Sequence, residues 1–544
     1  MHNPSWIPSR PRVRLLWLIA AWPIIVGMWS AIGYRHSANT FGDGALLGLD
    51  LDALTSHPVL TGSYSRFSFH HPGPMYAYLL APFWWLSRGA WSAHFASGLL
   101  NTIWVAIGIW ASGRIDAGRG RFVAAVGFAV LIASLPPAIT LESWNPSVSL
   151  LGASAFLVLL WSHVMRPSRP TLAATIFLGS FLAQVHVTLG PILVLAAGFV
   201  ACVRAVQRWN ERGSDRRISV DGDTVTVASA PVADTTSRAK GFGRIAAWCA
   251  FVTILWLPPL IDLLTNNPNN LATILRKTDE LPHPHSLGDV LPIALGQLAR
   301  PVGFLLGAGT DPQSGARGVL PKVVTLLLLS LVSLAAWRRR DRGTLLGVGI
   351  IAATCVGMVA SLSRVVDAPI PYYLGRFGGA ALTVLLLAVL GRFIVSNMPF
   401  TASFLAVAMV VLLCVASLHS ARDISRVRGA TEFHAEVEAL PEQLHDGDAL
   451  GLGDVSSQLA FAGIIYEARL NGIHIRASTN SEVLSADPIN TTIVLFRPWD
   501  RTAKAPDYLL RTTSKASPDE RVIATINGVT LTKLLRVPMK RVGG

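Results

Sequence analysis

Residues 41–74 hold most of the side chains able to do chemistry. They include Phe41-Gly42-Asp43-Gly44, Leu49-Asp50-Leu51-Asp52, Gly62-Ser63-Tyr64-Ser65-Arg66 and His70-His71-Pro72-Gly73-Pro74. A carboxylate between two glycines, just past an apolar segment and partly desolvated, can have a raised pKa and act as a general base. By local sequence alone Asp43 also fits a turn, which Asp and Gly both favour. Asp50 and Asp52 stand two apart, so on a helix they point in different directions. One role for them is to cap a short helix. The other is to hold a divalent cation together with Asp43. His70 and His71 can face one site only where the backbone is irregular, and Pro72-Gly73-Pro74 makes it irregular. Hydrogen bonding to an anionic ligand is the preferred reading for them, with metal binding second.

Further polar residues fall near the ends of apolar segments. Glu142-Ser143-Trp144-Asn145-Pro146 fills one loop, and Gln184 and His186 end another segment. Asp262 follows Trp256, Pro258 and Pro259, while Arg364, Tyr372, Tyr373 and Arg376 flank a third break. Any one of them reads as an interface anchor or a cap. Together they mark a site, because ionisable groups near membrane depth are costly. The Arg376 guanidinium offers a planar fork suited to phosphate.

The elements that must position these groups follow from composition. Of 544 residues, 51% are hydrophobic and only 14% charged, against roughly 25% charged in soluble domains. Mean hydropathy is +0.47. This excludes a disordered or fibrous chain and points to an all-α polytopic membrane protein. Apolar runs near 13–34, 91–112, 121–139, 147–165, 171–187, 189–206, 244–264, 319–337, 344–362, 376–393 and 401–418 predict about eleven spans. With the N-terminus inside, most of the inner loops (113–120, 166–170, 207–243, 338–343) are basic, as the run Arg338-Arg339-Arg340-Asp341-Arg342 shows. Loop 394–400 alone lacks a basic residue, with Arg392 at its edge. This predicts N-in, C-out topology in the plasma membrane. Residues 73–88 are apolar but short, and counting them as a span would put the arginines of 113–121 outside; they are expected to form an interfacial helix. Residues 1–418 then form the transmembrane domain, with outer loops at 35–74 and 265–318 and a polar inner loop at 207–243. Residues 419–544, with the strand-like Thr492-Ile493-Val494-Leu495-Phe496 and a helical run near 432–445, predict a small extracytoplasmic α+β domain.

The net charge of +14 is absorbed by the inner loops, so no nucleic-acid partner is expected. Cys202, Cys249, Cys355 and Cys414 lie in or beside apolar runs without a CxxC pair and read as small buried hydrophobes. The basic start at Arg10, Arg12 and Arg14 leads into an apolar stretch with no A-x-A site, so an uncleaved first span is expected. No internal repeat is evident.

The layout resembles the GT-C superfamily of membrane glycosyltransferases, in particular actinobacterial members with a Y-S-R-F-x-x-x-H-P-G-P stretch. Here that stretch is Tyr64-Ser65-Arg66-Phe67 followed by His71-Pro72-Gly73-Pro74. The topological resemblance covers roughly 1–418 and the motifs about 41–80, with echoes at Gln184-Val185-His186 and Pro371-Tyr372-Tyr373-Leu374. The resemblance implies a polyprenyl-phosphate sugar donor, attack by an acceptor hydroxyl with inversion, and Asp43 as the base. It further implies that His70 or His71 and Arg376 stabilise phosphate, that Glu142 or Asp262 orients sugar, and that Tyr64, Arg66, His186 and Tyr373 line the substrate. Many relatives carry neighbouring acids after the first span, whereas Asp43 stands alone, so a divalent cation stays an open alternative. The acceptor is a glycan, a glycolipid or a protein. A lipid flippase or other transporter is the rival reading; it predicts discontinuous helices or symmetric repeats. An anchored accessory or receptor protein is a third.

Overall fold

The computed structural model describes residues 16–32, 42–65, 67, 69–87, 92–116, 119–214, 235–280, 282, 284–366, 369–397, 440–452, 458–478, 497–503, 506–511, 520–526 and 529–534. The expected span at 401–418, Arg66, Cys414, the strand-like run at 492–496 and the middle of the 207–243 loop lie outside the described residues.

The first half runs through α1 (Leu16–Ile32), α2 (Gly42–Ala53), the hairpin β1 (Tyr64–Ser65) and β2 (Phe69–His70), then α3 (Met75–Ser87), α4 (Ser92–Ile115) and α5 (Arg119–Ala133). It continues with α6 (Asn145–Met165), α7 (Arg169–Val185) and α8 (Gly190–Ser214). After the polar loop come α9 (Thr235–Leu255), α10 (Leu257–Thr265), α11 (Asn270–Glu280), α12 (Leu287–Leu298) and α13 (Arg300–Leu305). The hairpin β3 (Thr310–Asp311) and β4 (Gly315–Ala316) leads to α14 (Leu320–Arg338), α15 (Arg342–Leu362) and α16 (Tyr372–Asn397).

Six of the described helices are long and apolar enough to cross a membrane, or seven if α9 and α10 are one span bent by 70° at Trp256. The chain is a multi-pass membrane protein. The ten apolar runs inside the described residues all fall on helices, but α1, α5 and α7 have 17, 15 and 17 residues, below the length that a perpendicular crossing of about 30 Å needs. The count of eleven is therefore higher than helix length alone supports. The 13 residues of α3 make about 20 Å of helix at 1.5 Å per residue, too short to span. This helix buries Met75, Tyr76, Leu80 and Trp84 and exposes Tyr78 and Trp85.

Burial sorts the long helices. In α6 and α16, 89% of the apolar window is buried, against 28% in α14. The first two form the inner pair, where the Ser154 hydroxyl donates to the Ala380 carbonyl. Leu327, Leu331 and Trp337 of α14 stay exposed, a surface suited to acyl chains.

The C-terminal region is α/β in character. It comprises β5 (Ala449–Leu452), α17 (Gln458–Leu470), β6 (Arg476–Ser478), β7 (Arg501–Thr502), β8 (Tyr508–Arg511), β9 (Glu520–Ile526) and β10 (Val529–Leu534). They build a six-stranded sheet in the order β7-β6-β5-β8-β10-β9. β5 runs parallel to β6 and β8, whereas β10 is antiparallel to β8 and β9. α17 packs on α2. Tyr466 is buried there, accepts from Trp84 Nε1 at 3.1 Å, and lies over Gly48. A Cβ at position 48 would stand 2.4 Å from the Tyr466 ring, so only glycine permits this approach.

Candidate active site

Asp43 is in the first turn of α2, with its side chain exposed. Its Oδ2 accepts from Trp144 Nε1 at 2.7 Å, a charge-assisted bond that fixes the carboxylate. Trp144 is held in turn by its place just before α6, where Pro146 starts the helix without losing a bond. Its ring meets Tyr373 edge-on at 5.0 Å.

Two hollows meet at this pair of residues. The larger is an open cleft of about 480 Å³, lined by Glu142, Trp144, Asp311, Gln313 and Arg376 over Pro136 and Ile139. Arg376 is 5% exposed. Glu142 accepts from the Ser147 hydroxyl. Burial pushes the Glu142 carboxyl above its usual range, the Ser147 bond and Arg376 oppose that, and Asp43 adds to it. The cleft thus sets the Arg376 guanidinium within electrostatic reach of the Glu142 carboxylate. Asp311 is held below the usual carboxylate range, chiefly by the backbone N–H of Ser314 and further by that of Gln313, against an opposing effect of burial. The smaller hollow, about 20 Å³, is lined by Asp43, Ser63, Tyr64, His70, Arg497 and Asp500, among others.

The other sequence-predicted residues divide into two groups. Tyr64 and His70 face each other across the β1–β2 hairpin, with rings 5.0 Å apart edge-on, and both line the smaller hollow. His70 Nδ1 lies 3.2 Å from the Gly62 carbonyl, which can only accept, so the hydrogen sits on that nitrogen. His71 is buried and lines neither hollow. Its Nδ1 takes the Val187 backbone N–H at 3.4 Å, and its ring packs on His186 at 4.3 Å. Burial lowers His71 to about 4; it is neutral at pH 7 and clamps the loop. His186 caps the end of α7 and contacts Thr188 Oγ1, Tyr373 and Phe377. An aromatic series Trp144–Tyr373–His186–His71 therefore connects Asp43 to the clamp.

The remaining acids are committed to structure. Asp262 accepts from Asn266 Nδ2 at 2.7 Å and from the Asn270 backbone N–H at 2.8 Å. Asn270 then holds the loop, accepting from the His70 N–H and donating to the His70 carbonyl, both at 2.9 Å. Asp262 thus acts two contacts away from the hairpin, not in either hollow. Asp50 is paired through both oxygens with Arg497, at 2.8 and 3.0 Å. Asp52 pairs with Arg469 at 3.3 Å, and Arg469 also binds Asp500 at 2.8 Å. In the structure these carboxylates serve guanidinium groups. Among the described residues, no three His, Cys, Asp or Glu side chains are grouped for a metal ion.

No family model matches the sequence, and no curated protein matches it. Solved structures do. ArnT from Cupriavidus metallidurans bound to undecaprenyl phosphate superposes with a TM-score of 0.54 over 95% of this chain and 97% of that one, at 14% identity. The same protein in the apo state gives 0.54 with the same coverage, at 13% identity. The chain has the GT-C fold.

The likeness is one of architecture, carried by how the elements are arranged and not by shared side chains. At 95% coverage it extends past residue 418 into the C-terminal region, a part of the chain to which the sequence motifs contribute nothing. Four polar residues of the two hollows were not singled out from sequence, Asp311, Gln313, Arg497 and Asp500, and neither was Arg300, which lines neither hollow but feels Arg376 and Asp311. Arg300 is 2% exposed, donates from Nη2 to the Ser134 carbonyl at 2.9 Å, and is lowered to about 10 by burial and then by Arg376. Its signal in the sequence was an arginine followed by proline inside an apolar run, which costs too much to bury without a purpose.

Proposed function

We propose that this protein is an inverting glycosyltransferase that moves a sugar from a polyprenyl-phosphate donor to a hydroxyl acceptor at the outer face of the membrane, in cell-envelope glycan or glycolipid assembly. The observation that carries the reading is the Asp43–Trp144 bond. It joins an exposed carboxylate to the wall of a cleft that holds a buried arginine. The ArnT structure with undecaprenyl phosphate supports the class of donor.

In this mechanism the donor phosphate lies in the cleft against Arg376, with its tail among the exposed apolar faces. Asp43 takes the proton of the acceptor hydroxyl as its oxygen bonds to the anomeric carbon. The bond from that carbon to the phosphate oxygen breaks, and its electron pair leaves with the phosphate. Phosphate is a good leaving group, so Arg376 need only balance the charge that develops on it. Trp144 keeps the carboxylate aimed, and Glu142 sits beside the sugar. A hexosyl or a pentosyl group satisfies this geometry.

A second reading, a flippase for the same lipid, has one observation in its favour: the 70° break at Trp256 between α9 and α10. Discontinuous helices are a mark of transporters. One assay separates the two. Purified protein is given a panel of polyprenyl-phosphate sugars with a saccharide acceptor, with and without chelator. Sugar transfer that depends on Asp43 supports the enzyme. Movement of the intact lipid between leaflets without transfer overturns it.

A further inference from the structure

The C-terminal sheet domain reaches into the first loop through one side chain. Arg497 makes five hydrogen bonds there: two to Asp50, one to the Thr61 hydroxyl, and one each to the Thr61 and Gly62 carbonyls, all between 2.7 and 3.1 Å. Thr61 and Gly62 lead directly into β1, and Asp50 is on the same helix as Asp43. The guanidinium therefore sets the gap between α2 and the hairpin. That gap is the smaller hollow, whose remaining wall is Asp500 of the same domain.

We propose that this hollow is the acceptor subsite, the place where a saccharide hydroxyl reaches Asp43, and that the C-terminal domain completes it. The inference rests on the glycosyltransferase reading above. Three observations carry it. The first is size: the hollow measures about 20 Å³, and one water needs roughly 10–15 Å³. It admits a hydroxyl and excludes a phosphate or a sugar ring. The second is lining. Asp43, Asp50 and Asp500 set carboxylates beside Ser63, Tyr64 and His70 in this lining, while its one guanidinium is already committed to Asp50, Thr61 and Gly62. A hydroxyl is served there and an anion is not. The third is position. Asp43 borders this hollow and its partner Trp144 borders the cleft with Arg376, so acceptor and donor meet from opposite sides of one bond. Arg497 is then a positioning residue, acting on the acceptor through the width of the gap.

The test uses the full-length protein with a polyprenyl-phosphate sugar, a saccharide acceptor, and water as the competing acceptor. Leu46 also lines the hollow. Leu46→Ala widens it, and the ratio of donor hydrolysis to transfer should rise at least about threefold as water competes. Arg497→Lys loses the fork, and the acceptor KM should rise about threefold to tenfold while the donor KM stays within about twofold. Ser63→Leu fills the hollow and should cut transfer at least about tenfold while polyprenyl-phosphate binding stays within about twofold. An unchanged hydrolysis ratio in Leu46→Ala together with an unchanged acceptor KM in Arg497→Lys overturns the assignment. This stays distinct from failure of the underlying reading, which shows as full transfer by Asp43→Asn.

Discussion

The two ends of α2 hold acids of the same kind in opposite circumstances. At its start Asp43 is exposed and takes an indole N–H. Two turns later Asp50 is 8% exposed and takes a guanidinium through both oxygens. The helix is 12 residues long, so the difference does not come from the helix. It comes from what packs on each end: a cleft on one side, a folded domain on the other. A carboxylate that must exchange protons needs access. One that must fix geometry needs burial and a partner that never lets go. Residue type cannot separate these duties, and the environment does.

The sharpest way to break this comparison is to neutralise each acid in turn. Asp43→Asn should lower transfer by about 10³-fold or more while leaving thermal unfolding unchanged. Measurable turnover within about tenfold of the parent would take the base role from Asp43. Asp50→Asn should do the reverse, since it leaves a buried guanidinium short of its counter-charge. About 3 kcal/mol of stability should be lost, read as a lower Tm and as faster proteolytic release of the C-terminal domain. Arg376→Gln should cost about 100-fold in transfer through loss of charge at the leaving phosphate, with the Tm little moved.

Smaller effects sharpen the contrast. Trp144→Phe removes the indole N–H and keeps the ring, and it should cost about tenfold in kcat. The clamp gives a pH signature. His71 titrates at about 4 in the folded chain, below the usual value near 6.5. The unfolded state therefore binds more protons between those values, and folding stability falls as pH drops through that window. Unfolding midpoints measured from pH 7 to pH 4 should show this loss, and His71→Asn should reduce it. The smallest effect concerns metal. Asp50 and Asp52 are taken by Arg497 and Arg469, so a chelator should leave transfer within about twofold, and a strong chelator effect would reopen the role of these acids.

How far the sequence reached follows from the range of the forces involved. Hydropathy periods are local, so the spans and the short α3 were legible from 20-residue windows. Tyr64 and His70 lie close in sequence, and a hairpin pairs them directly. The duties of Asp50, Asp52 and Asp262 were not legible, because their partners are set by tertiary packing. Arg497 lies 447 positions from Asp50, and nothing in either neighbourhood announces the pair. Asp262 looked like a ligand because it was isolated in an apolar run, yet its burial is compensated by Asn266 and Asn270. His71 looked like a partner for an anion and is instead neutral and packed. Arg300 escaped notice because a lone arginine near an apolar run ordinarily snorkels.

The span between Asp50 and Arg497 also has a consequence in time. A ribosome adding about 5–20 residues each second delivers the arginine roughly 20 to 90 seconds after the aspartate. Throughout that interval the nascent first loop lacks its latch, and the gap beside Asp43 has no fixed width. The latch therefore closes only once residue 497 has emerged, and a product terminated before it lacks this contact between the first loop and the sheet region.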